Sequence, residues 1–394
     1  STTTPKGVMI THSNLLHNLG FIEKSFGQSE NSHAVIWLPP YHDMGLIGGI
    51  LQPLYTGYPA TLFPHMLFLQ RPFRWLQAIS RFKATTSGGP NFAYDLCLQK
   101  IKPEQRDLLD LHSWEVAFNG AEPVHAKTLE QFAEYFAPCG FRQEAFLPCY
   151  GLAEATLLVT GGPKGRPVVK QHLLNAGLAQ NKVVSSAESN ADTRTVVGCG
   201  HNLSNQKIVI VNPETCEPCP ADEIGEIWVS GDSVAGGYWN NPNEASLNFA
   251  ARLSNGEGPF LRSGDFGFVK DGELHITGRL KNLLIADGKN HYPHDLERTV
   301  EGSHPAIVPA GSAVFSMDER PERIVVIAEI KHWPEIKPEE VIKAIRSAVS
   351  SSHGLHVDDI RLTAPGGIPK TTSGKKKHFL CREHYLTGTL KAIQ

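Results

Sequence analysis

Residues 115–136 read EVAFNGAEPVHAKTLEQFAEYF, and their pattern decides the fold class. Glu115 to Asn119 is short, β-prone and closed by Gly120 and Pro123. Val124 to Phe136 then carries Leu129, Phe132 and Phe136 along one helical face. The same alternation extends to both sides. His33 to Leu38, Lys83 to Ser87 and Glu144 to Cys149 read as strands. Arg71 to Phe82, with Phe73, Leu76, Ile79 and Phe82, reads as a helix with one apolar face. Alternating strands and helices predict an α/β fold, a parallel sheet covered by helices.

Further along, the period changes. Glu226 to Ser230 and Glu273 to Thr277 alternate with period 2 among dense Gly and Asn, which predicts an antiparallel, barrel-like subdomain. The polar stretch 164–194 shows no clear period. After Gly278 come strands near Ala313 to Phe315 and at Arg323 to Ile330. A helix from Pro338 to about Ser351, a strand at Asp359 to Leu362 and a helix near Lys377 to Leu386 complete a small α+β domain.

Bulk properties exclude several classes. The 394 residues suffice for two or three domains with a sizeable core. With 41% hydrophobic and 20% charged residues the composition is that of a globular chain. A net charge of -3 argues against a dominant nucleic-acid or anionic-membrane surface. Seven irregularly spaced cysteines fit reduced thiols and a cytoplasmic protein. No apolar run approaches the roughly 18 residues that span a bilayer.

Several short motifs could carry chemistry. Thr2-Thr3-Thr4-Pro5-Lys6-Gly7 gathers hydroxyls, backbone N–H groups and an ammonium suited to polyphosphate oxygens, without Walker spacing. Asn119-Gly120-Ala121-Glu122-Pro123 and Tyr150-Gly151-Leu152-Ala153-Glu154 each follow a strand, where open parallel sheets bind ligands. Tyr150 could stack on a base and Glu154 could hold Mg²⁺. Arg262-Ser263-Gly264-Asp265 and Gly278-Arg279-Leu280-Lys281 flank a hairpin and could hold a ribose. Pro369 to Lys377 is a flexible basic loop. Each motif alone also reads as an ordinary loop, core aromatic or solvated charge run. Cys216-Glu217-Pro218-Cys219 and His291-Tyr292-Pro293-His294 lack the further ligands a metal would need.

The order of these motifs is more specific than any one of them. With Gly-Glu-Ile-x-Val-x-Gly from Gly225 and a final Ser373-Gly374-Lys375, it resembles the adenylate-forming superfamily of acyl-CoA synthetases, peptide-synthetase adenylation domains and luciferases. Leu38-Pro39-Pro40-Tyr41-His42-Asp43-Met44-Gly45-Leu46-Ile47-Gly48-Gly49 and Asn290-His291-Tyr292-Pro293-His294-Asp295-Leu296-Glu297 look like its fatty acyl-AMP ligase branch, and 164–194 falls where that branch carries an insertion.

The resemblance implies a large domain over 1–277 whose front part is missing, because the chain opens inside the phosphate loop. It also implies a hinge at 278–281 and a mobile carboxyl-terminal domain over 282–394. By the same resemblance, Thr2, Thr3, Thr4 and Lys6 contact the ATP phosphates. Gly120, Ala121 and Glu122, continued by Tyr150 and Gly151, line the adenine. Glu154 binds Mg²⁺, and Asp265 and Arg279 hold the ribose. Tyr41, His42, Asp43, Met44, Gly45 and Leu46 border an acyl tunnel. Lys281 is the hinge and Lys375 the catalytic lysine. Where relatives place an arginine after that lysine, this chain has Lys376-Lys377-His378.

The implied chemistry is in-line attack of a fatty carboxylate on the α-phosphorus of ATP, with loss of pyrophosphate. Rotation at the hinge would then admit the phosphopantetheine arm of an acyl carrier protein. Three other readings stand beside this one: an acyl-CoA synthetase using free coenzyme A, a catalytically inactive module that binds nucleotide or carrier, and, most weakly, a nuclear basic-patch protein.

Overall fold

The computed structural model describes residues 6–190, 192–202, 205–286, 289–317, 323–331, 337–371, 376–391 and 393. Contacts divide the chain into two units. One holds Lys6–Leu174 and Lys182–Thr277, the other Gly278–Gln394 with Asn175–Asn181.

The larger unit is built on five parallel strands, β1 (Ala34–Ile36), β2 (Ala60–Leu62), β3 (Thr86–Gly89), β4 (Val116–Asn119) and β5 (Phe146–Pro148). Their spatial order is β2-β1-β3-β4-β5. β1, β3 and β4 are buried along their whole length, so they lack alternation and read as short apolar or small-residue runs. Helices Phe73–Phe82, Asn91–Lys100 and Ala126–Phe136 accompany the sheet. Trp37, Phe68, Trp75, Tyr94, Trp114 and Phe132 fill the core with at most 1% exposure. Two of these buried indole N–H groups are satisfied, Trp75 Nε1 donating to Ser87 Oγ at 2.8 Å and Trp114 Nε1 to the Val116 carbonyl at 2.9 Å, whereas that of Trp37 has no partner among the described residues.

The helix Phe73–Phe82 corrects one expected face. Trp75, Leu76 and Ile79 are buried, whereas Phe82 is 39% exposed and lies 5.7 Å from the His33 ring. Nine residues at 100° each bring Phe82 half a turn away from Phe73, so an i, i+3, i+6, i+9 series cannot stay on one face. A further helix, His12–Phe26, has no counterpart in the sequence reading. It starts at a capping box between Thr11 and Asn14 and ends at Gly27 in the left-handed region (φ 56°).

An antiparallel sheet of Lys207–Val211, Gly225–Ser230, Leu261–Lys270 and Glu273–Arg279, paired in that order, belongs to the same unit up to Thr277 of its last strand. Ile227 and Val229 face one apolar cluster and Trp228 another, so the sheet is covered on both sides. The polar stretch without a period contains the strand Lys170–Leu174, which pairs antiparallel with Thr193–Val197.

The smaller unit has three strands, Ile307–Met317, Arg323–Ile330 and Asp359–Thr363, the first pair antiparallel and the second parallel. Val314, Val326 and Ala328 face helices Pro293–Ser303 and Pro338–His353; Phe315, Val325 and Ile327 face Cys381 on helix His378–Leu386. Pro338 at the first turn, with Glu339 and Glu340 beside it, and Gly354 at the end (φ 66°) set the limits of the long helix. No helix among the described residues is long and apolar enough to cross a membrane.

Candidate functional site

The order of the parallel sheet reverses between β1 and β3, since β2 lies on one side of β1 and β3 on the other. At such a switch point, loops leaving the carboxyl ends of the strands diverge and leave a crevice. Those ends carry Pro39 to Asp43 after β1, Pro90 to Phe92 after β3, Gly120 to Pro123 after β4 and Cys149-Tyr150 after β5.

Side chains fix these loops to one another. Glu122 Oε1 accepts from the Phe92 N–H at 2.6 Å, joining the loops after β3 and β4. Asn91, 2% exposed, accepts from Asn119 Nδ2 at 3.3 Å and from the His125 N–H at 3.0 Å. A Cβ at Gly120 would stand 2.8 Å from the Cys149 carbonyl oxygen, so only glycine lets the β4 and β5 loops approach this closely. Ala121 sits in the left-handed region (φ 72°), a strained conformation for a residue with a Cβ.

Tyr150 continues β5 into a two-stranded ladder with Leu158–Thr160. Its ring is 8% exposed within the apolar cluster of Ile227, Val229 and Leu261, and its hydroxyl donates to Asp265 Oδ2 at 2.8 Å. The Ser263-Gly264-Asp265 turn is held from behind by Glu226, a 2% exposed carboxylate. Glu226 Oε2 accepts from Arg262 Nε (2.9 Å), Arg262 Nη2 (2.6 Å) and Trp228 Nε1 (2.9 Å); Oε1 accepts from the Gly264 N–H (3.1 Å). Gly264 itself has φ 71°, the reason for glycine at that position.

Glu154 lies on a single helical turn, Ala153–Ala155, followed by Thr156 at φ 69° and ψ -65°. The Leu157 N–H donates to the Ala155 carbonyl at 2.8 Å, closing a strained γ-turn around a β-branched residue. That strain is held in place by Thr156 Oγ1 donating to the Ser233 carbonyl at 2.7 Å. Asn18 of the first helix helps, donating to the Leu158 carbonyl (2.8 Å) and accepting from the Leu158 N–H (3.0 Å). Glu154 Oε1 accepts from the Tyr238 hydroxyl at 2.7 Å. Burial, and then the bond to Glu154, push the Tyr238 phenol well above its ordinary pKa, so it stays a donor. Lys6 lies 4.9 Å from the centre of the Tyr238 ring and pairs with Glu244. A bridge between Val8 and Tyr238 aligns the segment bearing Lys6. Sequence reading missed Glu226, Tyr238 and Glu244, whose partners lie as many as 238 residues away. The local signal for Glu226 was a carboxylate two places before Trp228, on the same face of a buried strand.

Among the residues expected at an acyl tunnel, Tyr41 is 66% and Leu46 44% exposed, while Gly45 is buried. His42 Nδ1 lies 2.5 Å from Asp43 Oδ1, and Asp43 accepts from the Met44 N–H at 2.7 Å. Asp43 thus caps Met44–Leu51, a π-helix of eight residues, whose last turn is closed by the Gln52 N–H on the Ile47 carbonyl. A Cβ at Gly45 would overlap the Pro39 carbonyl oxygen.

Arg279 ends the strand Glu273–Arg279 and Lys281 occupies the turn Leu280–Asn282; both belong to the smaller unit. In that unit Lys376 and His378 contact Glu297, a 4% exposed carboxylate. Burial alone would raise the pKa of Glu297, but the two bases outweigh it and hold the carboxyl at about 2. Thr2, Thr3, Thr4 and Lys375 lie outside the described residues. Among the described residues no group of three or more His, Cys, Asp or Glu is arranged to hold a metal ion. Glu154 has the chemistry for Mg²⁺: its second carboxylate oxygen takes no protein partner among the described residues, and Mg²⁺ commonly needs one or two carboxylates besides phosphate and water.

A profile of AMP-binding enzymes matches residues 1–239, and one of the AMP domain of Disco-interacting protein 2-like proteins matches residues 281–394. The chain belongs to the AMP-binding enzyme family. Its relatives in that family include fatty-acid–acyl-carrier-protein ligases and fatty acyl-adenylate ligases. This AMP-binding enzyme is 47% identical, over 99% of its length and 67% of the relative's, to the medium-chain-fatty-acid–[acyl-carrier-protein] ligase JamA of Moorena producens. It is 33% identical, with a TM-score of 0.89, to a fatty acyl-adenylate ligase structure described for E. coli and L. pneumophila, covering 98% of this chain and 68% of that one. It is 41% identical, with a TM-score of 0.71, to the L. pneumophila fatty acyl-adenylate ligase in complex with acyl adenylate and pyrophosphate, covering 97% of this chain and 67% of that one. The chain therefore spans about two thirds of the length of these relatives.

Proposed function

We propose that this chain forms the nucleotide-activating part of an enzyme that converts a fatty acid and ATP to acyl-AMP and pyrophosphate and passes the acyl group to an acyl carrier protein. The observation that carries the reading is the identity to an acyl-carrier-protein ligase, which runs through both units instead of stopping at one motif. In this reading domain 1–277 binds ATP, residues 278–281 are the hinge, and 282–394 brings Lys375 to the reaction. The setting is cytoplasmic, which the seven unpaired cysteines support.

The residues then divide the work. Gly120, Ala121 and Glu122 form a pre-fixed wall for the adenine, with Tyr150 and Gly151 continuing it. Tyr150, by donating to Asp265, orients that carboxylate for the ribose hydroxyls, and Arg279 joins it. Thr2, Thr3, Thr4 and Lys6 hold the phosphates. Mg²⁺, when bound, spreads the phosphate charge, and Glu154 would hold it. Tyr41, His42, Asp43, Met44, Gly45 and Leu46 guide the acyl chain. Lys375 stabilises the negative charge that builds as the carboxylate oxygen bonds to the α-phosphorus and the bond to pyrophosphate breaks. Rotation at Lys281 follows, so that the carrier's thiol can replace AMP on the acyl carbon.

The test is mass spectrometry of products from dodecanoate, ATP and Mg²⁺, with coenzyme A or with a phosphopantetheinylated carrier protein. It is run on this chain and on the chain extended to the full length of its relatives. Acyl-AMP and acyl-carrier product without acyl-CoA is the expected result. Accumulating acyl-CoA would make the enzyme an acyl-CoA synthetase. AMP binding with no adenylate from either protein would make it a non-catalytic nucleotide-binding module.

A further inference from the structure

Residues 233–239 of the larger unit splint two segments that lie far apart in the chain, the turn bearing Glu154 and the strand-like stretch after Lys6. At one end the Ser233 carbonyl accepts from Thr156 Oγ1 at 2.7 Å, and the Ala235 N–H donates to the Glu154 carbonyl at 2.9 Å. At the other end the splint pairs antiparallel with residues 7–9. The Gly236 N–H donates to the Met9 carbonyl (3.0 Å), the Met9 N–H to the Gly237 carbonyl (2.9 Å) and the Trp239 N–H to the Gly7 carbonyl (2.7 Å).

Tyr238 takes part at both ends. Its hydroxyl donates to Glu154 Oε1 at 2.7 Å, and Lys6 Nζ lies 4.9 Å from the centre of its ring. The ring is 6% exposed and stands edge-on to Phe249, the last residue of helix Pro242–Phe249, with centres 5.0 Å apart and planes at 82°. A phenylalanine would fill this space equally well. What the hydroxyl adds is a hold on one oxygen of Glu154, whose other oxygen takes no protein partner among the described residues. A glutamate side chain is long and loses much rotamer freedom when it is fixed. Mg²⁺ demands near-ideal octahedral geometry of its ligands. A carboxylate restrained before the cation arrives has less freedom left to lose on binding it.

We propose that Tyr238 is a positioning residue for Glu154, holding one carboxylate oxygen so that the other is ready for Mg²⁺ on the ATP phosphates. The inference rests on the reading of Glu154 as the Mg²⁺ ligand. It adds a specificity to the splint: the backbone pairing joins the two segments, and the phenol sets the side chain that meets the cation.

The test uses the chain extended to the full length of its relatives and titrates α,β-methylene-ATP by calorimetry, with and without Mg²⁺. The readout is the gain in nucleotide affinity that Mg²⁺ confers, compared among wild type, Tyr238→Phe, Glu154→Gln and the double variant Tyr238→Phe/Glu154→Gln. Tyr238→Phe keeps the ring, so its metal-free affinity should stay within twofold of wild type while the gain from Mg²⁺ falls at least fivefold. Glu154→Gln should lose at least as much of the gain, and the double variant no more than Glu154→Gln. Pyrophosphate release by Tyr238→Phe should need at least fivefold more free Mg²⁺, yet reach a kcat within threefold of wild type at saturation. Affinity lost equally with and without the metal would mark Tyr238 as merely structural and overturn the role, as would a double variant worse than Glu154→Gln. A gain reduced less than fivefold in Tyr238→Phe, beside its loss in Glu154→Gln, would overturn the role and leave Glu154 as the metal ligand. A gain untouched in Glu154→Gln would overturn both readings. If Tyr238→Phe fails to fold, Tyr238→Leu decides by the gain alone.

Discussion

Replacing Glu226 should loosen the Ser263-Gly264-Asp265 turn from behind without touching any residue assigned to ligand. In Glu226→Ala the Arg262 guanidinium, 29% exposed, can turn to water, but the Trp228 indole N–H, in a side chain with no exposure, cannot. An orphaned buried donor costs about 1–3 kcal/mol, and removing one partner of a buried ion pair about 3–5 kcal/mol in all. Glu226→Gln keeps the shape but must turn an amide NH₂ toward one of the donors, so about 2 kcal/mol is expected. Urea denaturation followed by circular dichroism should place the alanine variant about 4 kcal/mol below wild type and the glutamine variant between them. A freed turn should also weaken AMP binding by calorimetry about tenfold, equivalent to ~1.4 kcal/mol. If Glu226→Gln unfolds within about 0.5 kcal/mol of wild type and binds AMP equally well, the turn does not depend on this carboxylate and the argument is wrong.

A Cβ at Gly151 would overlap the Leu157 carbonyl oxygen, so Gly151→Ala should lose about 2–3 kcal/mol and distort the turn bearing Glu154; an unchanged Tm would contradict this. His275 is buried against Phe268, with ring centres 4.7 Å apart, and burial lowers its pKa to about 4 from 6.5. Its neutral form is favoured in the folded state, so the associated stability is complete above pH 6.5 and is lost as pH falls through the interval to 4, on the order of 3 kcal/mol. His275→Phe should flatten the pH dependence of urea midpoints over that interval. Glu244→Gln releases Lys6 from its partly exposed ion pair, which is worth at most about 1 kcal/mol; KM for ATP should fall up to about fivefold, and a rise would show that Glu244 supports nucleotide binding.

Much of the architecture was legible because it depends on local pattern. Strands of the parallel sheet are short apolar or small-residue runs bounded by Gly and Pro, and the helix Ala126–Phe136 repeats with its own period. The helix His12–Phe26 escaped because its buried face includes Asn14, Asn18 and Ser25, polar residues whose partners are the carbonyls of Ala155, Leu158, Gly162 and Asp232. Phe82 was misplaced by counting in threes where the helix turns in 3.6. The candidate site shows the same division. Asp265 and Tyr150 stand in recognisable motifs, but that one donates to the other across 115 residues follows only from the fold. Glu226, Tyr238 and Glu244 act through contacts that no window of sequence contains.

One of those contacts gives the protein an optical property. Trp228 donates its indole N–H to the same Glu226 oxygen that pairs with Arg262, and the Arg262 guanidinium carbon lies 5.3 Å from the centre of that indole ring. Indole emission is sensitive to charge and hydrogen bonding at the ring, so any displacement of the Ser263-Gly264-Asp265 turn is transmitted to a chromophore one hydrogen bond away. A version keeping Trp228 as its sole tryptophan would carry an intrinsic fluorescence gauge for that turn, readable in stopped flow without an attached dye.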